Sequence, residues 1–327
     1  VLTFMDSKTR WLIGLFFALL VLFSAIIVVL IVFFCPPIET PHVTSAKVAP
    51  DSVGICVHSL SAQDALLVNQ SGARWIRIDI SNNETDLTNS LANAKSYNLS
   101  ILGILGSWMF NQSCSFTLEE WRSAVSSNVS KYAAYVDAWE IWNEPTSQNP
   151  GWKLQTDYYL MVQVASPIIR QYDPTAKIVL LGGLQLYTGG NTVPVNIDKN
   201  FARNLSACNL TSYGDAISVH AYPWSGQVTP SLWENYAASI DDYRQIFSNS
   251  SLDIWVTETG QNLADCGGNQ QLQAQYLADS LGFFSGRVSH VFWYALHDEA
   301  SAGDFGLVDA NNSPRVAYAD LQNKLVD

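Results

Sequence analysis

The chain has 327 residues, of which 48% are hydrophobic, enough for one large domain with a substantial core. Its formal net charge of −12, from 29 acidic and 17 basic residues, argues against a nucleic-acid partner, which requires a basic face. The five cysteines show no CxxC or Cys/His spacing, so we predict neither a metal nor a cofactor.

An apolar run at residues 11–34 is the first element along the chain. It carries no charge and is long enough to span a hydrocarbon core of ~30 Å at ~1.5 Å per residue. A cleavable signal peptide has a shorter apolar core of ~7–15 residues and a small-residue cleavage site. Lys8 and Arg10 precede the run, whereas Glu39 is the first charge after it. We therefore expect a single-pass anchor in the cell membrane, with residues 1–10 cytoplasmic and the rest extracellular.

Residues 35–51 follow as a proline-containing linker. The rest of the chain is rich in Asn-X-Ser/Thr tripeptides, beyond what its Ser and Thr content gives by chance, which favours a glycosylated exterior. An oxidising exterior permits disulfides among Cys56, Cys114, Cys208 and Cys266, and the sequence does not choose among the three possible connectivities. Cys56 lies in a predicted strand and could instead be an inert buried thiol.

Strand-like and helix-like segments alternate through residues 52–327. Eight strands are predicted, at Val53–His58, Ala73–Ile80, Ser100–Trp108, Val136–Asn143, Lys177–Gln185, Ala216–Tyr222, Leu252–Glu258 and His290–Leu296. The clearest helices are Thr117–Tyr132, Thr156–Tyr172 with a possible kink at Pro167, Ser231–Phe247 and Gln270–Ser285. This α/β alternation is typical of a (β/α)₈ TIM barrel of ~250 residues. A doubly wound open sheet is the alternative, but no Gly-rich phosphate loop follows the first strand.

The ends of the predicted strands carry the chemistry, because barrel enzymes place functional groups there. Two buried-type strands run into a glutamate that Pro or Gly follows closely: Glu144 at the fourth strand and Glu258 at the seventh. Two carboxylates at one barrel mouth are the minimum for cleaving a glycosidic bond. The other strand ends supply aromatic rings and hydrogen-bonding groups suited to sugars: His58, Arg77, Asp79, Trp108, Asn143, Gln185, His220, Tyr222, Trp293 and His297.

The two glutamate motifs resemble those of the clan A retaining glycoside hydrolases. Asn143-Glu144-Pro145 is similar to the fourth-strand motif of that clan, and Thr257-Glu258 to the seventh-strand motif. The resemblance implies that Glu144 is the general acid/base and Glu258 the nucleophile. We expect Asn143 to hydrogen-bond the sugar 2-hydroxyl, an interaction that strengthens in the transition state.

Supporting positions match the clan in the same order. Arg77 resembles the second-strand arginine near the nucleophile, and His220-Ala221-Tyr222 the sixth-strand motif whose tyrosine holds the nucleophile. Trp293 resembles the eighth-strand tryptophan of the substrate floor. His58 and Trp108 are further candidates for substrate binding.

Within the clan, the chain looks most similar to family 39, with family 5 as second choice. The similarity covers about residues 52–322 and includes the tail at 305–318. Family 39 contains β-xylosidases, α-L-iduronidases and exopolysaccharide-cutting endoglycosidases. Thr259-Gly260 departs from that family's pattern, which often has an aromatic residue or Phe-Gly there.

Less specific interpretations compete at several positions. His220 could be a satisfied core histidine, and Arg77 could simply pair with Asp79 or another barrel acid. Three tryptophans could equally belong to the barrel core or form aromatic platforms for a sugar: Trp108, Trp142 and Trp224. Three acids of the last loop could contact substrate but are more readily explained as solvated: Asp298, Glu299 and Asp304.

The predicted function is a membrane-anchored, extracellular retaining β-glycosidase acting on a polysaccharide such as β-glucan, xylan, mannan or an exopolysaccharide. Endo and exo action both fit, and no oligomeric state is predicted. The alternative is a catalytically silent barrel that binds glycans in the cell envelope. The presence of both carboxylates favours the enzyme.

Overall fold

The computed structural model describes residues 49–112, 115–146, 154–187, 192–223, 228–248, 250–299, 303–309 and 311–325. The anchor predicted at residues 11–34 and nearly all of the predicted linker lie outside these ranges. Within them, no helix is both long enough and apolar enough to cross a bilayer. The anchor and the linker therefore stay predictions.

Eight parallel strands pair in sequence order and close into a barrel. They are β1 (Val53–Val57), β2 (Trp75–Asp79), β3 (Ser100–Leu105), β4 (Ala138–Ile141), β5 (Lys177–Gln185), β6 (Ala216–Ala221), β7 (Asp253–Thr259) and β8 (His290–Trp293). Closure comes from the pairing of β1 with β8, in which Ile55 lies opposite Trp293. The predicted barrel is confirmed, and the open sheet is excluded.

Eight α-helices occur in the described ranges and surround the barrel strands in the alternating order expected. They are α1 (Ala62–Gln70), α2 (Glu84–Ser96), α3 (Leu118–Tyr132), α4 (Leu154–Tyr172), α5 (Thr192–Ala207), α6 (Pro230–Ile246), α7 (Gln270–Phe284) and α8 (Val316–Leu325). Local sequence fixes several of their starts: Thr117 and Glu120 form a reciprocal capping box at α3. The helix α4 continues through Pro167.

The third strand is shorter than predicted. It ends at Leu105, and a 3₁₀ turn over Ser107–Phe110 follows, so Trp108 lies in a turn rather than at a strand end. The fourth strand similarly ends at Ile141, before Asn143 and Glu144. Both functional segments are therefore loops attached to the barrel, the usual site of catalytic groups in this fold.

The barrel interior is filled by a separate buried cluster with members on seven strands: Cys56, Leu102, Ala138, Val179, Ala216, Trp255 and Phe292. Gly54 makes room for this filling, because a Cβ there would collide with the Phe292 ring. Cys56, Cys208 and Cys266 are free thiols, whereas Cys114 lies outside the described residues. Burial raises the pKa of Cys56, so it remains a protonated thiol, as one of the two interpretations had it.

Candidate active site

A cavity of about 560 Å³ opens at the C-terminal ends of the strands. Its volume lies in the range typical of small-molecule sites. Both predicted catalytic residues line it, as do Asn143, Arg77, Tyr222, His58 and Trp108. The barrel thus brings together residues far apart in sequence at the position where the fold places active sites.

Glu144 and Glu258 approach each other across this cavity. One side-chain oxygen of each, together with a ring nitrogen of His220, all lie within 4.8 Å of one another. Retaining glycosidases hold their carboxyl groups ~5–5.5 Å apart, whereas inverting enzymes need ~6.5–9.5 Å to admit a water. The spacing therefore suits direct attack by one of the two carboxylates.

Charged and phenolic donors surround Glu258. Arg77 Nη1 donates to Oε1 at 2.6 Å, and the Tyr222 hydroxyl donates to Oε2 at 2.6 Å. The Glu258 side chain is only 10% exposed. Hydrogen bonds of this kind to both oxygens stabilise the ionised carboxylate and fix its orientation.

Arg77 is shared among three acceptors. Its Nε donates to Glu140 Oε2 at 2.6 Å and its Nη2 to Asn143 Oδ1 at 2.8 Å, in addition to the bond with Glu258. Burial disfavours the cation, but the carboxylates of Glu140 and Glu258 outweigh it and raise the pKa of Arg77. The alternative interpretation, a pair with a barrel acid, is confirmed for acids other than Asp79: Glu140 and Glu258.

Glu140 did not emerge from the sequence as a site residue. It lies in β4, is fully buried, and accepts a second hydrogen bond from Thr257 Oγ1 at 2.9 Å. A glutamate inside an otherwise apolar strand was the available signal, because a buried charge must find a partner.

Neutral and imidazole donors surround Glu144. Gln185 Nε2 donates to its Oε1 at 3.0 Å, and His220 Nδ1 lies 3.0 Å from the same oxygen. The Glu144 side chain is 21% exposed, twice the fraction of Glu258. Its backbone has φ 43°, in the left-handed region, and its N–H donates to Gly182 O at 2.6 Å. This left-handed backbone conformation costs free energy, which interactions elsewhere in the fold offset.

Asp198 of α5 supports the Glu144 loop from below and was also missed. It accepts from the Gln185 backbone N–H at 2.7 Å and from Thr146 Oγ1 at 2.5 Å, and it is 2% exposed. Burial raises the pKa of Asp198 to about 6, although the two hydrogen bonds oppose the shift. No local pattern on α5 distinguishes this aspartate from a surface one.

His220 is fully buried, and Gly183 packs directly against its ring. A Cβ at Gly183, whose φ is +84°, would collide with Nε2. Burial disfavours the cation, but the charges of Glu258 and Glu144 raise the pKa of His220. His220 is therefore a buried core histidine and also a site residue that contacts Glu144, so both interpretations from the sequence hold in part.

A rim cluster of His58, Asp79 and Glu299 lies at the cavity mouth. His58 Nδ1 lies 2.6 Å from Asp79 Oδ2, and its Nε2 lies 2.9 Å from Glu299 Oε1. Burial opposes the shift, but these two carboxylates raise the pKa of His58 to about 10. The Tyr294 hydroxyl also donates to Glu299, at 2.9 Å. Glu299 therefore lines the cavity and is paired, rather than being only a solvated loop acid.

The other two acids of the last loop differ. Asp298 is paired with Arg315, whose Nη2 lies 2.5 Å from its Oδ2, so it is not simply solvated. Asp304 is exposed, as predicted.

Trp293 does not form the substrate floor. It is 3% exposed, its indole N–H donates to Phe305 O at 3.1 Å, and it is absent from the cavity wall. Tyr294 lines the cavity instead, because neighbouring residues at a strand end point to opposite sides. Trp108 and Trp142 both line the cavity, although Trp142 is only 1% exposed, and Trp224 lies outside the described residues.

Glu144, His220 and Glu258 are also close enough to share a cation. Their facing atoms are already joined by the hydrogen bond between Glu144 and His220, and Arg77 neutralises Glu258. A cation would compete with both, so the donor set fits proton transfer better than metal binding.

A family model of cellulase, glycosyl hydrolase family 5, matches residues 78–299. This confirms the clan predicted from the motifs, and the matching family is family 5, the second choice from the sequence. The motifs that suggested family 39 are largely common to the clan. No curated protein sequence matches the chain significantly.

Solved structures share the fold. A family 39 glycoside hydrolase from Bacteroides cellulosilyticus WH2 is 21% identical, with a TM-score of 0.63 over 87% of this chain and 65% of that one. Thermotoga maritima Cel5A, solved with mannotriose, is 13% identical, with a TM-score of 0.61 over 87% and 99%. A broad-specificity endoglucanase from Clostridium longisporum is 13% identical, with a TM-score of 0.63 over 86% and 97%. At these identities, the likeness establishes the fold alone.

Proposed function

Because the chain belongs to the cellulase family, glycosyl hydrolase family 5, we propose that it is a retaining β-glycosidase that hydrolyses a neutral polysaccharide. The observation that carries the proposal is the pair of carboxylates in the cavity, with oxygens within 4.8 Å and different surroundings. Glu258 receives donors that keep it ionised, whereas Glu144 lies against groups able to exchange hydrogen bonds with it.

In the first step, a Glu258 oxygen attacks the anomeric carbon. The bond from that carbon to the leaving oxygen breaks, and Glu144 gives its proton to that oxygen. Arg77 and Tyr222 hold Glu258 in line for attack, since each fixes one of its oxygens. Asn143 is oriented by its bond from Arg77, which directs its amide N–H₂ group away from the guanidinium and toward a sugar hydroxyl.

In the second step, the glycosyl ester of Glu258 is hydrolysed. Glu144, now ionised, removes a proton from a water that attacks the anomeric carbon, and the Glu258–carbon bond breaks. The esterified Glu258 no longer carries charge, which leaves Glu144 as the carboxylate facing the water. The sugar leaves with its original configuration.

The charge of the cavity wall argues for a neutral sugar. Among the described residues, five carboxylates line it, against two cationic side chains, Arg77 and His58, and the carboxylates are Asp79, Glu144, Glu258, Asp265 and Glu299. A uronic acid would bring another negative charge into this field, where both described cations are already paired with carboxylates. Glucan, xylan and mannan chains carry no such charge.

Trapping with a 2-deoxy-2-fluoro β-glycoside tests the assignment. The fluorine slows both steps, so an activated leaving group lets the covalent intermediate accumulate. We expect a mass increase on the peptide that contains Glu258, and none in Glu258→Gln. A folded wild-type protein that forms no adduct with any neutral sugar of a gluco, xylo and manno panel would favour the silent glycan-binding barrel.

The location of the enzyme is a separate proposal, supported by the apolar run at residues 11–34 and the charges flanking it. We propose that this run anchors the barrel to the cell membrane with the cavity outside. Protease treatment of intact cells should release the barrel. A barrel protected until the cells are lysed would contradict this orientation.

A further inference from the structure

We propose that Glu140 is a positioning residue that tunes the nucleophile by taking a share of the Arg77 charge. The proposal rests on the assignment of Glu258 as nucleophile. Arg77 lies between two carboxylates, 2.6 Å from each, and it is 3% exposed. Glu140 faces the guanidinium from the barrel interior, and Glu258 faces it from the cavity.

The contacts of Glu140 show that its negative charge is maintained. Both of its oxygens accept hydrogen bonds, one from Arg77 Nε and one from Thr257 Oγ1 at 2.9 Å, and the side chain is 0% exposed. A fully buried carboxylate is costly unless it is paired, so this arrangement has an electrostatic role beyond packing. An apolar residue of similar size would fill the same space at lower cost.

The consequence concerns the balance between the two chemical steps. A carboxylate is more stable, and therefore a weaker nucleophile, when it is the only carboxylate that a guanidinium contacts. By binding the same guanidinium, Glu140 reduces the hold of Arg77 on Glu258 without removing the hydrogen bond that orients it. Glycosylation, in which Glu258 donates electrons, benefits from this sharing. Deglycosylation, in which the Glu258 carboxylate leaves, does not.

Glu140→Gln isolates this charge. The Gln oxygen can still accept from Arg77 Nε, and its amide can donate to the Thr257 hydroxyl, so both hydrogen bonds are retained while the charge is lost. We expect the acid limb of the pH profile of kcat/KM to move to lower pH and kcat/KM at the optimum to fall about 10-fold. The kcat of an aryl glycoside limited by deglycosylation should change much less.

Asp173→Asn is the matched control. Asp173 is 6% exposed and accepts from the indole of Trp139, the residue before Glu140 on β4, so this variant also removes a buried charge. The Asn oxygen can accept the same bond. Because Asp173 has no contact with Arg77, we expect its pH profile to match that of the wild type.

A ¹³C NMR titration of the Glu258 carboxyl in the free protein gives the second readout. Glu258 should titrate at lower pH in Glu140→Gln than in the wild type, whether or not a substrate is turned over. Thr257→Val, which removes a donor from Glu140, should shift the titration in the opposite direction and serves if Glu140→Gln does not fold. An unmoved titration in a folded variant, or an equal shift in Asp173→Asn, would overturn the tuning role. A wild type that titrates as expected but forms no covalent adduct would instead overturn the proposed function.

Discussion

The surroundings of Glu258 and of Glu144 differ in charge, exposure and backbone. Glu258 lies at a strand end, is 10% exposed and receives a guanidinium and a phenol. Glu144 lies in a loop with φ 43°, is 21% exposed and contacts an amide and an imidazole. In the proposed mechanism Glu258 must remain charged, and it contacts a cation. Glu144 must gain and lose a proton, and it contacts groups that can hydrogen-bond to both forms.

Glu258→Gln should have the largest effect, because it removes the proposed nucleophile while leaving the side chain's shape. We expect kcat/KM to fall on the order of 10⁵-fold for every substrate, whatever its leaving group. Steady-state kinetics with a polysaccharide and with a nitrophenyl glycoside would measure this loss. Appreciable turnover in this variant, after exclusion of deamidation by mass, would contradict the role of Glu258.

Glu144→Gln should have a smaller and selective effect. We expect about a 10³-fold loss on a polysaccharide, whose leaving oxygen needs a proton, and a far smaller loss in the first step of a dinitrophenyl glycoside. Azide should restore turnover of the aryl substrate and give a glycosyl azide of retained configuration, since azide needs no general base. Equal losses on both substrates would mean that Glu144 is not the proton donor.

Two further variants, Tyr222→Phe and Gln185→Met, compare one hydrogen bond to Glu258 with one to Glu144. Tyr222→Phe removes a hydrogen bond to a charged oxygen, which is worth about 1.5–3 kcal/mol, so we expect roughly a 10- to 100-fold fall in kcat/KM. Gln185→Met, which removes the amide donor to Glu144 and keeps the side-chain length, should cost less. A larger loss of kcat/KM in Gln185→Met than in Tyr222→Phe would contradict this expectation.

Asp198→Asn should change activity least and reveal its effect through pH. The pKa of Asp198 is raised to about 6 in the folded protein from an ordinary 3.8, so its favourable contribution is present below pH 3.8 and is lost as the pH rises through about 6. The Asn variant should therefore gain stability relative to the wild type between pH 4 and 7, by up to about 3 kcal/mol.

Denaturant unfolding across that pH range measures the gain, with the exposed Asp304→Asn as control. Parallel stability curves for the wild type and Asp198→Asn would show that Asp198 does not titrate in this range.

The sequence predicted the barrel well because its signals are local. Buried strands are apolar runs bounded by turn residues, and eight of them at regular intervals leave few arrangements. The motifs around Glu144 and Glu258 could be placed for the same reason, since each residue sits at the end of such a run. Strand ends were less certain: β3 stops at Leu105 because the chain turns into a 3₁₀ segment there.

Tertiary structure decided the supporting residues. Trp293 and Tyr294 are adjacent aromatics, and only the direction of the chain at the end of β8 determines which one faces the cavity. The rim cluster required the segments after β1 and β8 to converge on the end of β2, which makes His58 a partner of two carboxylates rather than an isolated histidine.

What the sequence by itself determined is the fold, the glycosidase clan and the identity of the two facing glutamates. What only the tertiary structure decided is how each glutamate is held: Arg77 reaches Glu258 across 181 positions and Glu140 across 63. Spacing along the chain carries no signal for such contacts, because they arise only when the strands close into a barrel. The same closure buries Glu140, and the packing of α5 buries Asp198, so that both carboxyl groups act on the site at short range.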